Sequence, residues 1–361
     1  MAEGKNLVGV DIGSSSIKVC ELREGRKGHT LHKVAYAPLP QQTIVDGHVM
    51  NTSIVIETLM RLFAEHKIKQ RDIAVGVSGQ SVIIRKITVP MMTAAELDEQ
   101  IQWEAEQHIP FDIKDVQIDY QVLRRHPDRG LMDLLLVAAK RDEINDHAQF
   151  IREAKLRPVC VDIDAFCVQN LFEVAVGIPP HQTIALLNMG ASLTSLNIVS
   201  GGTSAFTRDI TSGGNTISEE IQRETGMSFE QAEAYKCGDT SAGDGGAGAE
   251  QGGMVPQHVQ QVIDSACDTI AAEIQRSLDF FMATSGEAEI NQIYVTGGTA
   301  NLSSLRAAIQ RRARTPVEFF NPVANLTIDH KHVRQDIVQT RSAQLAVAIG
   351  LALRKDKEKR S

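Results

Sequence analysis

Residues 9–19 read GVDIGSSSIKV. Valine and isoleucine flank a glycine-serine turn, so the stretch predicts two strands joined as a hairpin. Asp11 stands between Val10 and Ile12, and a carboxylate on a buried strand is costly unless something neutralises it. Gly13, Ser14, Ser15 and Ser16 follow, small residues whose backbone N–H groups can converge on an anion. The reading is a phosphate-sized anion held at the end of a strand.

Working outward, the chain has 361 residues, enough for two domains with real cores. Hydrophobic residues make up 42% and charged residues 23%, as in an ordinary globular protein, while 4% aromatic content makes the core mostly aliphatic. A net charge of -8 argues against binding nucleic acid through its phosphate backbone. The N-terminus lacks the apolar core of a secretory signal, and no run is long enough to span a membrane. Five cysteines form no CxxC pair and their number is odd, so the expected compartment is the cytosol. His330 and His332 are the closest histidine pair and read as surface residues.

Strand and helix alternate along the chain. Residues 6–12, 17–23 and a stretch from Leu31 read as strands, and a helix starts near Asn51. Thr93 stands three residues before Glu96, the spacing of a capping box, and Pro110 is expected to end that helix. DVQIDYQVL and LMDLLLVAAK flank HPDRG, a hairpin turn. A helix from about Asp142 and a strand from Pro158 are expected to complete this small inserted unit. From Thr183 a second strand pair around a glycine turn echoes the N-terminal one. Residues 237–256 read as a glycine-rich surface loop that lacks the lysine-hydroxyl ending of a phosphate loop. A long helix from about Gln257 to Ala283 carries an apolar stripe, and SAQLAVAIGLAL predicts a buried helix near the C-terminus.

Three glycine turns thus stand at strand ends, at Asp11–Lys18, Asn188–Thr194 and Thr296–Asn301. Each alone is a common strand end. In this order they resemble the two phosphate segments and the adenosine segment of the actin-like ATPase superfamily. The stretch from TVPMMTAAELDEQIQWEAEQHIPF onward, with LVAAKRDEINDHAQFIREAKLRPVCVDIDAFCVQNLF, is similar to the PilM family of type IV pilus assembly proteins and more distantly to FtsA.

The resemblance implies an α/β fold: an actin-like two-domain ATPase fold with an inserted subdomain 1C of the FtsA type. It implies subdomain 1A over 1–85, with 158–182 and the helix 341–354, 1C over 86–157, and domain 2 over 183–340. Within domain 2, subdomain 2B would span about 215–287 beside 2A.

It also implies ATP or ADP with magnesium between the domains. Asp11 would face the ion, through water, since magnesium keeps much of its hydration shell. Gly13, Ser14, Ser15 and Ser16 would cradle the phosphates, and Lys18 would supply a point charge. Gly190, Ala191, Ser192 and Thr194 would do the same from the second hairpin. Asn188 departs from the family pattern, which carries an aspartate there, and an amide can neither act as a base nor add charge to a metal site. Nucleotide binding with weak or absent hydrolysis is the expectation. Glu233 and Lys236 match a segment that contacts the ribose, or else form a surface ion pair. Gly297, Gly298, Asn301 and Leu302 would lie beside the adenine.

PilM proteins sit at the cytoplasmic face of the inner membrane and bind the N-terminal cytoplasmic peptide of PilN in a groove between 1A and 1C. Trp103, Ile109 and Phe111 are candidate groove residues here, and contacts to the pilus ATPases are implied as well. The membrane would be reached only through partners. The alternatives are a membrane-associated filament of the FtsA type and, less favoured, a small-molecule kinase. The tail from Arg354 has no apolar face for lipid, and no loop carboxylate is placed to act as a kinase base.

Overall fold

The computed structural model describes residues 4–25, 28–45, 47–238, 255–286 and 289–357. The glycine-rich stretch expected to be a surface loop lies, over 239–254, outside the described residues, as does the end of the tail.

Two large sheets share one plan. In the first, Val8–Ile12, Ser16–Gly25 and Gly28–Pro38 form an antiparallel meander. Asp72–Val77 and Arg157–Ile163 then add in parallel beside Val8–Ile12, and Thr327–Ile328 pairs with the outer edge of the meander. In the second, Thr183–Met189, Thr194–Ser200 and Thr203–Ile210 make the meander, and Gln292–Thr296 and Val317–Phe319 add in parallel. The innermost strands are apolar on both faces because helices cover both sides. Each anion-turn candidate therefore sits in a hairpin whose first strand is central to its sheet.

The near-terminal helix Ala346–Ala352 is buried at all seven positions, as its uniform apolarity predicts. It presses directly on the first sheet: a Cβ on Gly9 would lie 1.9 Å from the Ala348 carbonyl oxygen. On its other side, a Cβ on Gly350 would lie 2.1 Å from the Cys167 carbonyl oxygen, in the helix Asp164–Ala175. These two helices carry one apolar cluster from Leu31 and Ala74 of the first sheet to Ile184, Leu186 and Val199 of the second. The second lobe closes on the helix Gln257–Ser285, whose stripe from Val259 through Ile270 to Phe281 is buried against that sheet.

A third, three-stranded antiparallel sheet is formed by Val82–Pro90, Leu131–Lys140 and Val116–His126. The helix Ala94–Glu106 covers it, opened by the Thr93–Glu96 capping box and ending at Glu106, before Pro110. The helix Arg141–Glu153 and strand Arg157–Ile163 do not complete this unit, contrary to the sequence reading. Phe150 and Ile151 pack among Val55, Leu59 and Val75, and the strand pairs with Asp72–Val77. An amphipathic helix announces a buried face without saying which core receives it.

Candidate functional site

The first hairpin sets Asp11 directly opposite Lys18, and the Lys18 ammonium lies 3.2 Å from Asp11 Oδ2. Both side chains are nearly buried, so this cation neutralises the strand carboxylate that the sequence flagged. Gly13 and Ser16 exchange backbone hydrogen bonds of 3.1 and 3.3 Å across the turn. A Cβ on Gly13 would stand 2.8 Å from Lys18 Nζ, so glycine leaves the ammonium its place beside the turn. Ser14 is half-buried and Ser15 exposed. Among the described residues, the buried Ser16 hydroxyl has no hydrogen-bond partner.

Two further acids are linked to Asp11 by charge: Asp164 feels both Asp11 and Asp209. Asp164 opens the helix Asp164–Ala175, and Gly76 lets it approach: a Cβ there would lie 2.0 Å from Asp164 Oδ1. Burial and the Asp11 charge push the Asp164 carboxyl up to about 8, against a hydrogen bond from the Ser78 side chain and the pull of Lys18. Asp209 comes from the second lobe, and its Oδ2 accepts the Gly79 amide at 2.6 Å, a bond between the lobes. Burial raises its pKa as well. Register places Asn188, Ser195 and Asp209 in one row on one face of the second sheet. Neither Asp164 nor Asp209 was expected from sequence, where their only signal is an acid at a strand-to-helix junction and one on an alternating strand.

The second hairpin turn closes through the Gly190 amide on the Leu193 carbonyl, 2.9 Å. Its outward carbonyls then receive two other loops. Gly190 O accepts from the Gly214 amide at 3.0 Å and from Thr299 Oγ1 at 2.7 Å. Ala191 O accepts from the Asn215 amide at 2.7 Å, and Asn215 Nδ2 donates to Ser192 Oγ at 3.3 Å. The Ser212–Asn215 loop, absent from the sequence expectations, is thus built into the site; its signal was the glycine pair ahead of a helix. A Cβ on Gly213 would come within 2.6 Å of both the Gly190 and Ala191 carbonyl oxygens. Gly297, at φ +92°, would put a Cβ 2.5 Å from the Met189 carbonyl oxygen and 2.8 Å from Asn188 Oδ1. Three backbone segments approach here closer than side chains permit.

Glu233 and Lys236 belong to this knot. Lys236 is buried, with Nζ 3.0 Å from the Gly214 carbonyl and 2.5 Å from Glu233 Oε2. The Ser218 hydroxyl donates to the same Glu233 oxygen at 2.7 Å. The i,i+3 ion pair is present, with Glu233 partly exposed and its lysine buried against the glycine turn. Gly298 lies against the Gln344 side chain, Leu302 is half-buried and Asn301 is exposed. Thr194 departs from expectation: it is fully buried, and its hydroxyl donates to the Ser212 carbonyl at 2.8 Å, holding the loop and leaving no donor for a phosphate.

The three groove candidates separate. Trp103 is 63% exposed on the helix Ala94–Glu106. Ile109 is buried in the core of the three-stranded unit, a correction to its reading as a groove residue. Phe111 packs partly on that core, with the Lys140 ammonium 4.9 Å from its ring centre.

Comparison with known proteins places this geometry. The family described as type IV pilus assembly protein PilM matches residues 9–356. The solved PilM-PilN type IV pilus biogenesis complex is 26% identical, covers 99% of this chain and 100% of that one, and superposes with a TM-score of 0.84. The ethanolamine utilization protein EutJ from Carboxydothermus hydrogenoformans is 15% identical over 97% of this chain and 90% of that one, at a TM-score of 0.55. MreB5 of Spiroplasma citri, solved bound to ADP, is 13% identical over 97% and 95%, at a TM-score of 0.52. The last two likenesses speak for the fold alone, which is actin-like.

Proposed function

The chain belongs to the PilM family of type IV pilus assembly proteins, and from that premise we propose that it is a nucleotide-binding scaffold of the pilus assembly machine. The observation that carries the nucleotide reading is the meeting of Gly190, Gly213, Gly214 and Gly297 beside the buried Lys236, in a lobe bonded to that of the Asp11–Lys18 hairpin through Asp209 and the Gly79 amide.

ATP or ADP fits the groups available. Ser16 offers a buried hydroxyl without a partner among the described residues, Lys18 and Lys236 offer cations, and the glycines let the turns that would face the phosphates pack directly on one another. Gly13–Ser16 and Gly190–Ser192 would hold the phosphates, Glu233 and Lys236 the ribose, and Gly297, Gly298, Asn301 and Leu302 the adenine. Magnesium fits the acid cluster, with Asp11 the residue to hold its hydration shell. The bound nucleotide would supply phosphate charge that both hairpins neutralise together, so it ties one lobe to the other. The chain's own groups favour holding over hydrolysis. Asn188, where a carboxylate could act as a base, is an amide with no basic oxygen.

In subdomain terms, the first sheet is assigned to 1A, the unit spanning 82–140 to 1C, the second sheet to 2A and the helices after Gly213 to 2B. The proposed partner is the N-terminal peptide of PilN, the protein named with the PilM structure to which this chain is similar. A groove between 1A and 1C would take an extended peptide, with exposed Trp103 as its apolar contact and Phe111 at the rim. Among the described residues no helix is long and apolar enough to cross a membrane, and the proposed place is the cytoplasmic face of the inner membrane, reached through partners. The test is titration of the full chain with that peptide, with and without Mg-ATP. Saturable binding that Trp103→Ala weakens supports the scaffold reading; absence of binding in both conditions sinks it.

A further inference from the structure

His332 is exposed, as its sequence setting predicts, and the fold gives it a buried counterpart. His32, on the strand Gly28–Pro38, is only 3% exposed. Thr327 and Ile328 pair with Thr30 and Leu31 beside it and deliver the turn that follows. In that turn Asp329 Oδ2 lies 2.8 Å from His32 Nδ1 and 2.9 Å from His332 Nδ1. The ring centres are 4.6 Å apart, and all three ligand atoms fall within 4.8 Å of one another.

Backbone bonds set this arrangement in advance. The Asp329 amide donates to the Leu31 carbonyl, and the Asp329 carbonyl accepts from the His332 and Val333 amides. Asp329 Oδ1 accepts from the Lys331 amide at 3.2 Å, which aims Oδ2 at both rings. A carboxylate oriented by a backbone amide, between two imidazoles of unlike burial, is a ligand set whose acid is already aimed.

We propose that His32, Asp329 and His332 form a zinc site with three protein ligands and a fourth position open to water. Two imidazole nitrogens and one oxygen suit zinc, whereas calcium and magnesium prefer sets made of oxygen. Ligand atoms at about 2.0–2.2 Å from a tetrahedral ion stand about 3.3 Å apart. The nitrogen–oxygen separations of 2.8 and 2.9 Å would open by about 0.5 Å, and the ring nitrogens, within 4.8 Å of each other, would draw together around the ion, movements that half-exposed His332 can make. Coordination through Nδ1 uses the Nε2–H tautomer of each ring, so the cation takes the place of the Nδ1 protons.

The position gives the ion a role. Residues 320–334 return the chain from the second sheet to the first, and the strand Thr327–Ile328 is their sheet anchor. Zinc would staple that crossing to the outer strand of the first sheet and stabilise the folded chain by mass action.

The test uses the full-length chain stripped with a chelator, then titrated with zinc alone by calorimetry and with cobalt(II) by visible absorption. His332→Ala and Asp329→Asn are run beside it; His32 stays, since its burial makes any replacement a packing change. The expected result is one zinc per chain, a higher melting temperature with zinc, and an intense tetrahedral cobalt band. Each variant should lose that band and bind zinc at least about tenfold more weakly, with an unchanged metal-free circular dichroism spectrum. Wild-type uptake no greater than that of the variants, or no cobalt band in the wild type, overturns the proposal.

Discussion

Replacing Asp164 by asparagine tests whether the cleft holds an acid against its own charge. The ordinary value for this carboxyl is 3.8, and burial with the Asp11 charge pushes it up to about 8. In the unfolded chain it loses its proton near pH 4, while in the folded chain it keeps the proton to about pH 8. Between those limits the folded state binds more protons, so stability falls as pH rises. The contribution is fully present below the unfolded pKa and is lost as pH climbs through the folded one. Each unit is worth about 1.4 kcal/mol, so three units of separation at pH 7 set a ceiling of about 4 kcal/mol. Relaxation around the site leaves roughly 1–4 kcal/mol. Asparagine has nearly the shape of the neutral acid, keeps an acceptor for the Ser78 side chain and does not titrate. Urea denaturation at about pH 5.5, 6.5 and 7.5 should therefore show Asp164→Asn more stable than wild type, by a margin that widens with pH. A margin that is constant, or a variant less stable at the highest pH, would refute the reasoning.

Four other substitutions test separate parts of the structure. Gly297→Ala meets both a positive φ and the Met189 carbonyl, so thermal melting should show a loss of roughly 2–4 kcal/mol, with weaker nucleotide binding. Asn188→Asp puts a carboxylate beside Gly297 and should raise phosphate release from ATP; an unchanged rate would show that position 188 does not limit hydrolysis. Trp103→Ala, on an exposed helix face, should change stability by less than about 0.5 kcal/mol while weakening the PilN peptide by roughly tenfold. Arg354→Met leaves Asp162, 8% exposed and now 2.5 Å from the arginine Nε, without that charge partner, and should cost about 3–5 kcal/mol in urea denaturation.

Local patterns were legible in the sequence because their causes are local. The Gly13–Ser16 turn, the Thr93 capping box and the stripe of Gln257–Ser285 follow from residues within a few positions of one another. The family resemblance added the actin-like fold. What stayed hidden depends on distant pairing. Asp11, Asp164 and Asp209 converge because parallel strands and a bond between the lobes bring three remote segments together, and no spacing encodes that. The helix Arg141–Glu153 showed an apolar face, yet the strand that follows it decides which core receives that face. Thr194 and Ile109 were chemically plausible as contact residues, but burial assigns the first to holding a loop and the second to a core. The Ser212–Asn215 loop went unread because a glycine pair before a helix is common, and its importance lies in the carbonyls it meets.

The central claim is that the two hairpins grip one nucleotide. Calorimetric titration of the chain with Mg-ATP tests it most directly, with Lys18→Ala and Gly213→Val alongside. The account predicts one site per chain, dependent on magnesium, with affinity lost in Gly213→Val and reduced at least tenfold in Lys18→Ala, as expected for loss of a charge-assisted contact of about 1.5–3 kcal/mol. Absence of heat in the wild type with either ATP or ADP, or equal affinity in all three chains, would contradict it.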